Sequence, residues 1–110
     1  MIDLTHFWNA ADHDPVLAQQ LADMYIDAVQ QTAEQIDDAL HNDDRHMVCE
    51  LVHRLKGSTA ILGFSEQQNA LDELYQYSKS ATMVELTSVP NDIQTLLSPI
   101  LDRLRQEFTQ

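Results

Sequence analysis

Val48-Cys49-Glu50-Leu51-Val52-His53-Arg54-Leu55-Lys56-Gly57-Ser58-Thr59-Ala60-Ile61-Leu62-Gly63 is the stretch whose reading decides the fold. Wound at about 100° per residue, it gathers Val48, Leu51, Leu55 and Leu62 into one apolar stripe, the mark of a helix with one buried face. His53 falls about 200° from Leu51 and so points away from that stripe. Lys56 and Gly57, one helical turn further on, share the outer face of His53. That face combines an exposed imidazole, a neighbouring cation and a position without a side chain, where a partner can come close. An exposed glycine costs a helix about 1 kcal/mol against alanine, so its presence asks for a reason other than stability. Ala60 keeps the same surface low. Ser58 falls in or beside the apolar stripe and is expected to serve structure, through its small size or a hydroxyl bonded to a backbone carbonyl.

Outward from this stretch the helical pattern continues in both directions. A short first helix is expected around Leu4 to Ala10, with Phe7 and Trp8 plugging one end of a bundle. Asp14-Pro15 reads as an N-cap followed by proline at the first helical position. From there Leu17, Leu21, Met24, Ala28, Thr32, Ile36 and Leu40 recur at steps of three or four and predict a long amphipathic helix. It ends near His41-Asn42-Asp43-Asp44, where Asn42 to Asp44 offer the cap for the next helix, from about Asp44 to Leu62. Gly63 is a C-terminal stop. Ser65-x-x-Gln68 has the pattern of a capping box for a fourth helix with the stripe Ala70, Leu71, Leu74 and Ser78. The last segment sets Leu86, Val89, Ile93, Leu96, Leu97, Ile100, Leu104 and Phe108 at helical spacing, interrupted by Pro90 and Pro99. One bent helix from about Thr82 and a turn followed by a helix from Pro90 both fit. The expected fold is all-α: an antiparallel up-and-down four-helix bundle with a short additional N-terminal helix.

A chain of 110 residues is long enough for one modest core, so residues 1–110 are expected to form a single domain. Only two glycines and three prolines occur, which suits a helical chain. No run approaches the roughly 18 apolar residues of a membrane span, so no membrane insertion is expected. The N-terminus lacks the basic and apolar regions of a signal peptide, and the lone Cys49 fits a reducing cytoplasm. A formal charge of −12 argues against nucleic acid as a partner. Three of the six basic residues, Arg45, Arg54 and Lys56, nonetheless lie within nine positions of His53, so positive charge is expected to gather near it.

Around His53, Phe64 projects to the same side with Ile61 at its margin, an apolar rim of the kind that docking sites use. The alternative for Phe64 is packing beneath the turn between the third and fourth helices. Elsewhere chemistry is thinly supported. His6, His13, His41 and His46 form no metal-binding pair, Cys49 has no CxxC partner, and no metal or other cofactor is expected. The methionines and leucine stripes are expected in the core.

The run Leu51-Val52-His53-Arg54-Leu55-Lys56-Gly57-Ser58, followed by Gly63, resembles the signature of the histidine-containing phosphotransfer (HPt) domains of bacterial phosphorelays, and the whole chain has the size of one. The resemblance implies that His53 accepts a phosphoryl group from a receiver-domain aspartate and passes it to another, with Lys56 stabilising the phosphate. It implies two partners, the receiver domains of a hybrid sensor kinase and of a response regulator, and a phosphocarrier with no ATP-dependent kinase activity of its own. The docking face would include Arg54, Gly57, Ala60, Phe64, Tyr75 and Lys79. HPt domains often place a glutamine opposite the active histidine; Tyr75 aligns best with that position here, which leaves open what hydrogen-bonds the His53 ring. The domain is expected to work as a monomer. The rival reading is a helical module that uses the same face for binding alone, without phosphorylation. A metal- or cofactor-binding bundle would need inward-facing His and Glu ligands that the pattern lacks.

Overall fold

The computed structural model describes residues 2–108. Its helices are α1 (Thr5–Ala10), α2 (Pro15–His41), α3 (Arg45–Ile61), α4 (Ser65–Ser80) and α5 (Val89–Phe108), with a 3₁₀ turn at Glu85–Ser88 before the last. The four long helices pack antiparallel, α1 is the short N-terminal addition, and no strand occurs among the described residues. Around the bundle α2 lies against α3 and α5, and α4 against the same two. At 43 × 22 × 20 Å the molecule is about as long as α2, whose 27 residues rise about 1.5 Å each.

The helix ends follow local chemistry. The Asp14 carboxylate accepts from the backbone N–H groups of Val16 (2.9 Å) and Leu17 (3.5 Å), and Pro15 occupies the first position of α2, where no N–H is missed. Asp44 caps α3 by accepting from the Met47 N–H at 3.0 Å. The capping box expected at Ser65 does not form: Phe64 is the N-cap of α4, without a side-chain bond, and Ser65 is already helical. The preceding turn causes this, since Gly63 and Phe64 finish α3 and leave Ser65 one place too late.

The final segment is a turn plus a helix. Pro90 sits in the first turn of α5, and Pro99 is carried inside the helix. Pro99 and Thr95 are both exposed, so water reaches the carbonyl that the proline leaves unbonded.

On α2 the buried stripe is Ala18, Ala22, Tyr25, Val29, Ala33, Ile36 and Ala39, rotated from the expected one, with Ile36 the shared member. Four of these seven buried residues are alanines, whose small side chains allow close helix packing. The leucines flank it: Leu21 and Leu40 are partly buried against the core, while Leu17 is exposed. Met24 is 67% exposed and Met47 also lies outside, which corrects the expectation that every methionine is core. The deep core is built from Phe7, Val29, Ile36, Val48, Val52, Leu71, Leu86, Ile93, Leu97, Ile100 and Leu104, all fully buried. Phe7 and Trp8 close one end as expected, Phe7 against Phe64 and Phe108 at centroid distances of 6.3 and 5.6 Å, and Trp8 against Phe108 at 5.5 Å.

Candidate functional site

The site is built on the hairpin of α3 and α4, and its register is fixed at the turn. Gly63 adopts φ +86°, the left-handed conformation that favours glycine. Its N–H donates to the Ala60 carbonyl (3.0 Å) and the Phe64 N–H to the Thr59 carbonyl (3.2 Å), a Schellman closure of α3. The chain then reverses, and residues equally offset from the turn meet. His53 stands eleven residues before Phe64 and Tyr75 eleven after; Lys56 stands eight before and Asp72 eight after.

His53 is exposed, with its ring tilted 46° against that of Tyr75 at a centroid distance of 5.2 Å. Among the described residues the imidazole has no hydrogen-bond partner, so the neighbour across the hairpin meets it through ring contact. Lys56 reaches over to α4, where its ammonium donates to Asp72 Oδ1 at 3.0 Å and lies 5.8 Å from the Tyr75 ring centre. Lys79 approaches the same ring at 4.8 Å, within the range of a cation–π contact. Tyr75 therefore has an imidazole and two ammonium groups around it. Gly57 is exposed, and a Cβ built there would meet nothing within 4 Å, so no neighbouring helix requires the glycine. Ala60 is half-buried on the same face. Arg54 is exposed and pairs along α3 with Glu50 at 3.7 Å.

Three expectations about this region change. Phe64 is 4% exposed and packs on Phe7 and on Tyr25, the latter at 6.1 Å, so it lies beneath the turn and not on the docking rim. Projecting it on the same face as His53 assumes that α3 continues, whereas the helix ends at Ile61 and Gly63 turns the chain inward. Ser58 is exposed, outside the apolar stripe, although its hydroxyl does donate to a backbone carbonyl as expected, that of Arg54 at 3.3 Å. Thr59 is the buried hydroxyl: it donates to the Leu55 carbonyl (2.8 Å), so the Tyr25 hydroxyl must donate to it (2.7 Å). Burial pushes the Tyr25 phenol up to about 12. Finally, Arg45 donates to the Ser78 carbonyl (2.9 Å), which ties the start of α3 to the last turn of α4 and takes this cation away from His53.

Two features escaped the sequence. Asp72 is one; its pairing with Lys56 depends on hairpin register and has no local pattern. The other is a shallow groove between α2 and α3 lined by Leu21, Met24, Tyr25, Ala28, Ile61 and Leu62, next to Ser58. Met24 and Ile61, the latter 77% exposed, form its apolar lips. Cys49 is partly buried, and burial pushes its thiol up while Arg45 and Lys79 pull it down. No cluster of three His, Cys, Asp or Glu residues suited to a metal occurs among the described residues. No described helix is long and apolar enough to cross a membrane.

The sequence model of the Hpt domain matches residues 20–108, from inside α2 to the end of α5. The chain therefore belongs to the Hpt domain family, whose class activity is histidine phosphotransfer in a phosphorelay, exchanged with receiver domains. Comparison with curated proteins and with solved structures gave no significant match.

Proposed function

We propose that His53 is the phosphorylated residue, that it takes the phosphoryl group from the receiver aspartate of a hybrid sensor kinase, and that it yields it to the receiver aspartate of a response regulator. The observation that carries this reading is the His53 face itself: an exposed imidazole with Lys56 one turn away and open space over Gly57. Of the other histidines within the family match, His41 bonds its own helix at the Asp37 carbonyl (2.8 Å), and His46 lies at the opposite end of α3 from Gly57.

The transfer requires little from this chain beyond placement. A ring nitrogen lone pair attacks phosphorus, the N–P bond forms, and the P–O bond to the donor carboxylate breaks with the electron pair leaving on that carboxylate. The onward step is the same exchange in reverse, with a second carboxylate attacking and the imidazole departing. Lys56 offers positive charge where the phosphoryl oxygens come to lie. Gly57 and Ala60 keep the surface low enough for a receiver's active-site rim. Arg54, Tyr75 and Lys79 border the contact, and the groove between α2 and α3 with Met24 and Ile61 extends it on the apolar side. Residues 1–110 act as one helical phosphotransfer domain, monomeric and cytoplasmic, without ATP chemistry of their own.

Mixing the protein with a phosphorylated receiver and assaying for acid-labile, alkali-stable phosphate tests the proposal. Wild type should acquire it, and His53→Gln should not, while keeping its helical circular dichroism because the position is exposed. Receiver binding without any phosphate transfer would leave the binding-only module standing instead.

A further inference from the structure

Lys56 does not wait free for a phosphoryl group. Its side chain is 23% exposed and its ammonium is held at 3.0 Å by the carboxylate of Asp72, which is 47% exposed. Asp72 has no other cation partner among the described residues. The two contacts His53–Tyr75 and Lys56–Asp72 are adjacent rungs of one hairpin, so a phosphoryl group on His53 would enter a neighbourhood that already contains this anion. An ammonium has three N–H donors, of which Asp72 takes one. The carboxylate thus does two things at once: it fixes where the ammonium stands, and it offsets part of its charge.

Resting on the phosphotransfer reading above, we propose that Asp72 is a positioning residue acting through Lys56, which sets how tightly the phosphoryl group on His53 is held. An intermediate carrier works only if its phosphorylated form is neither too unstable to survive nor so stable that the group stays. Lys56 alone would favour retention. Asp72 competes for the same ammonium and so lessens its hold on the phosphoryl oxygens, which keeps the phosphohistidine ready to give up its group.

The test uses phosphoramidate, which phosphorylates the histidine without any receiver, and follows the phosphohistidine by ³¹P NMR in wild type, Asp72→Asn, Asp72→Glu, Lys56→Ala and the Lys56→Ala/Asp72→Asn double variant. Asp72→Asn should lengthen the lifetime and slow onward transfer by about two- to fivefold, the range of a half-exposed ion pair. Asp72→Glu, which keeps the charge, should restore wild-type behaviour. In the Lys56→Ala background the Asp72→Asn change should have no effect on lifetime. The Lys56 ammonium resonance should shift on phosphorylation in wild type and shift already in unphosphorylated Asp72→Asn. A lower melting temperature for Asp72→Asn with lifetime and ammonium resonance unchanged would make the pair a clamp between α3 and α4 and overturn the proposal. An equal lifetime effect with and without Lys56 would also overturn it, because Asp72 would then act directly. If wild type forms no phosphohistidine, with phosphoramidate or with a phosphorylated receiver, the phosphotransfer reading itself fails; if it forms and Asp72→Asn leaves it unaltered, only this inference does.

Discussion

Lys56 is the residue where local pattern and tertiary structure contribute separately. Its place one turn beyond His53 follows from helical spacing alone, and the stretch around it could be read without knowing what lies opposite. The ion pair with Asp72 could not, because the partner is 16 residues away across a turn whose geometry sets the register. Phe64 shows the same boundary from the other side. A helical projection is valid only while the helix lasts, and beyond Ile61 the angle of 100° per residue places nothing correctly. At this scale Lys56→Ala is expected to slow transfer by roughly ten- to a thousand-fold without abolishing it, as when one preorganised electrostatic contact is removed. Rapid-quench measurement of phosphoryl transfer from a phosphorylated receiver checks this. An unchanged rate would mean that the ammonium serves Asp72 alone.

Helix existence was legible throughout, since each long segment repeats its apolar residues at steps of three and four. Helix faces were less so. On α2 two neighbouring stripes are both apolar, and hydropathy favours the one with leucine and methionine, whereas close helix contact selects the one with alanine. Starts were legible where a carboxylate makes the cap, as at Asp14 and Asp44, and failed at Ser65, where the turn out of α3 had already determined the cap. The two glycines of the hairpin act on their elements in opposite ways. At Gly57 a side chain meets open space and normal helical backbone, so Gly57→Gln should hold or raise stability, by up to about 1 kcal/mol on helix propensity. It should at the same time weaken receiver binding and slow transfer, because the added side chain stands on the approach to His53. Gly63→Ala should instead destabilise by about 1–3 kcal/mol, since φ +86° strains any L side chain and a Cβ there would collide with the His6 side chain. Urea denaturation of both variants beside receiver-binding titrations separates the two cases. A Gly57→Gln protein that loses stability yet transfers at the wild-type rate would make that glycine a packing residue.

For the molecule as a whole, the end plug joins the hairpin that carries His53 at a single turn. α1 lies outside the residues matched by the family, yet its Phe7 is fully buried between Phe64 and Phe108 and so joins the hairpin turn to the end of α5. The role of Phe7 and Trp8 as a plug was legible because two large aromatics in a six-residue helix have no other place to be buried. That the plug rests on Phe64 was not, for the reason given by the end of α3. Phe7→Ala is expected to cost about 3–5 kcal/mol, a large share of the roughly 5–15 kcal/mol that holds a domain together. The transfer rate per folded molecule should nevertheless stay near wild type at low temperature. The register that brings Tyr75 to His53 and Asp72 to Lys56 is fixed by the Schellman bonds at Gly63 and Phe64, and those are backbone bonds that survive removal of the Phe7 ring. Denaturant midpoints paired with transfer rates corrected for the folded fraction check this. A rate that falls in step with stability would show that the plug, through Phe64, helps to set the angle between α3 and α4 on which the His53 face depends.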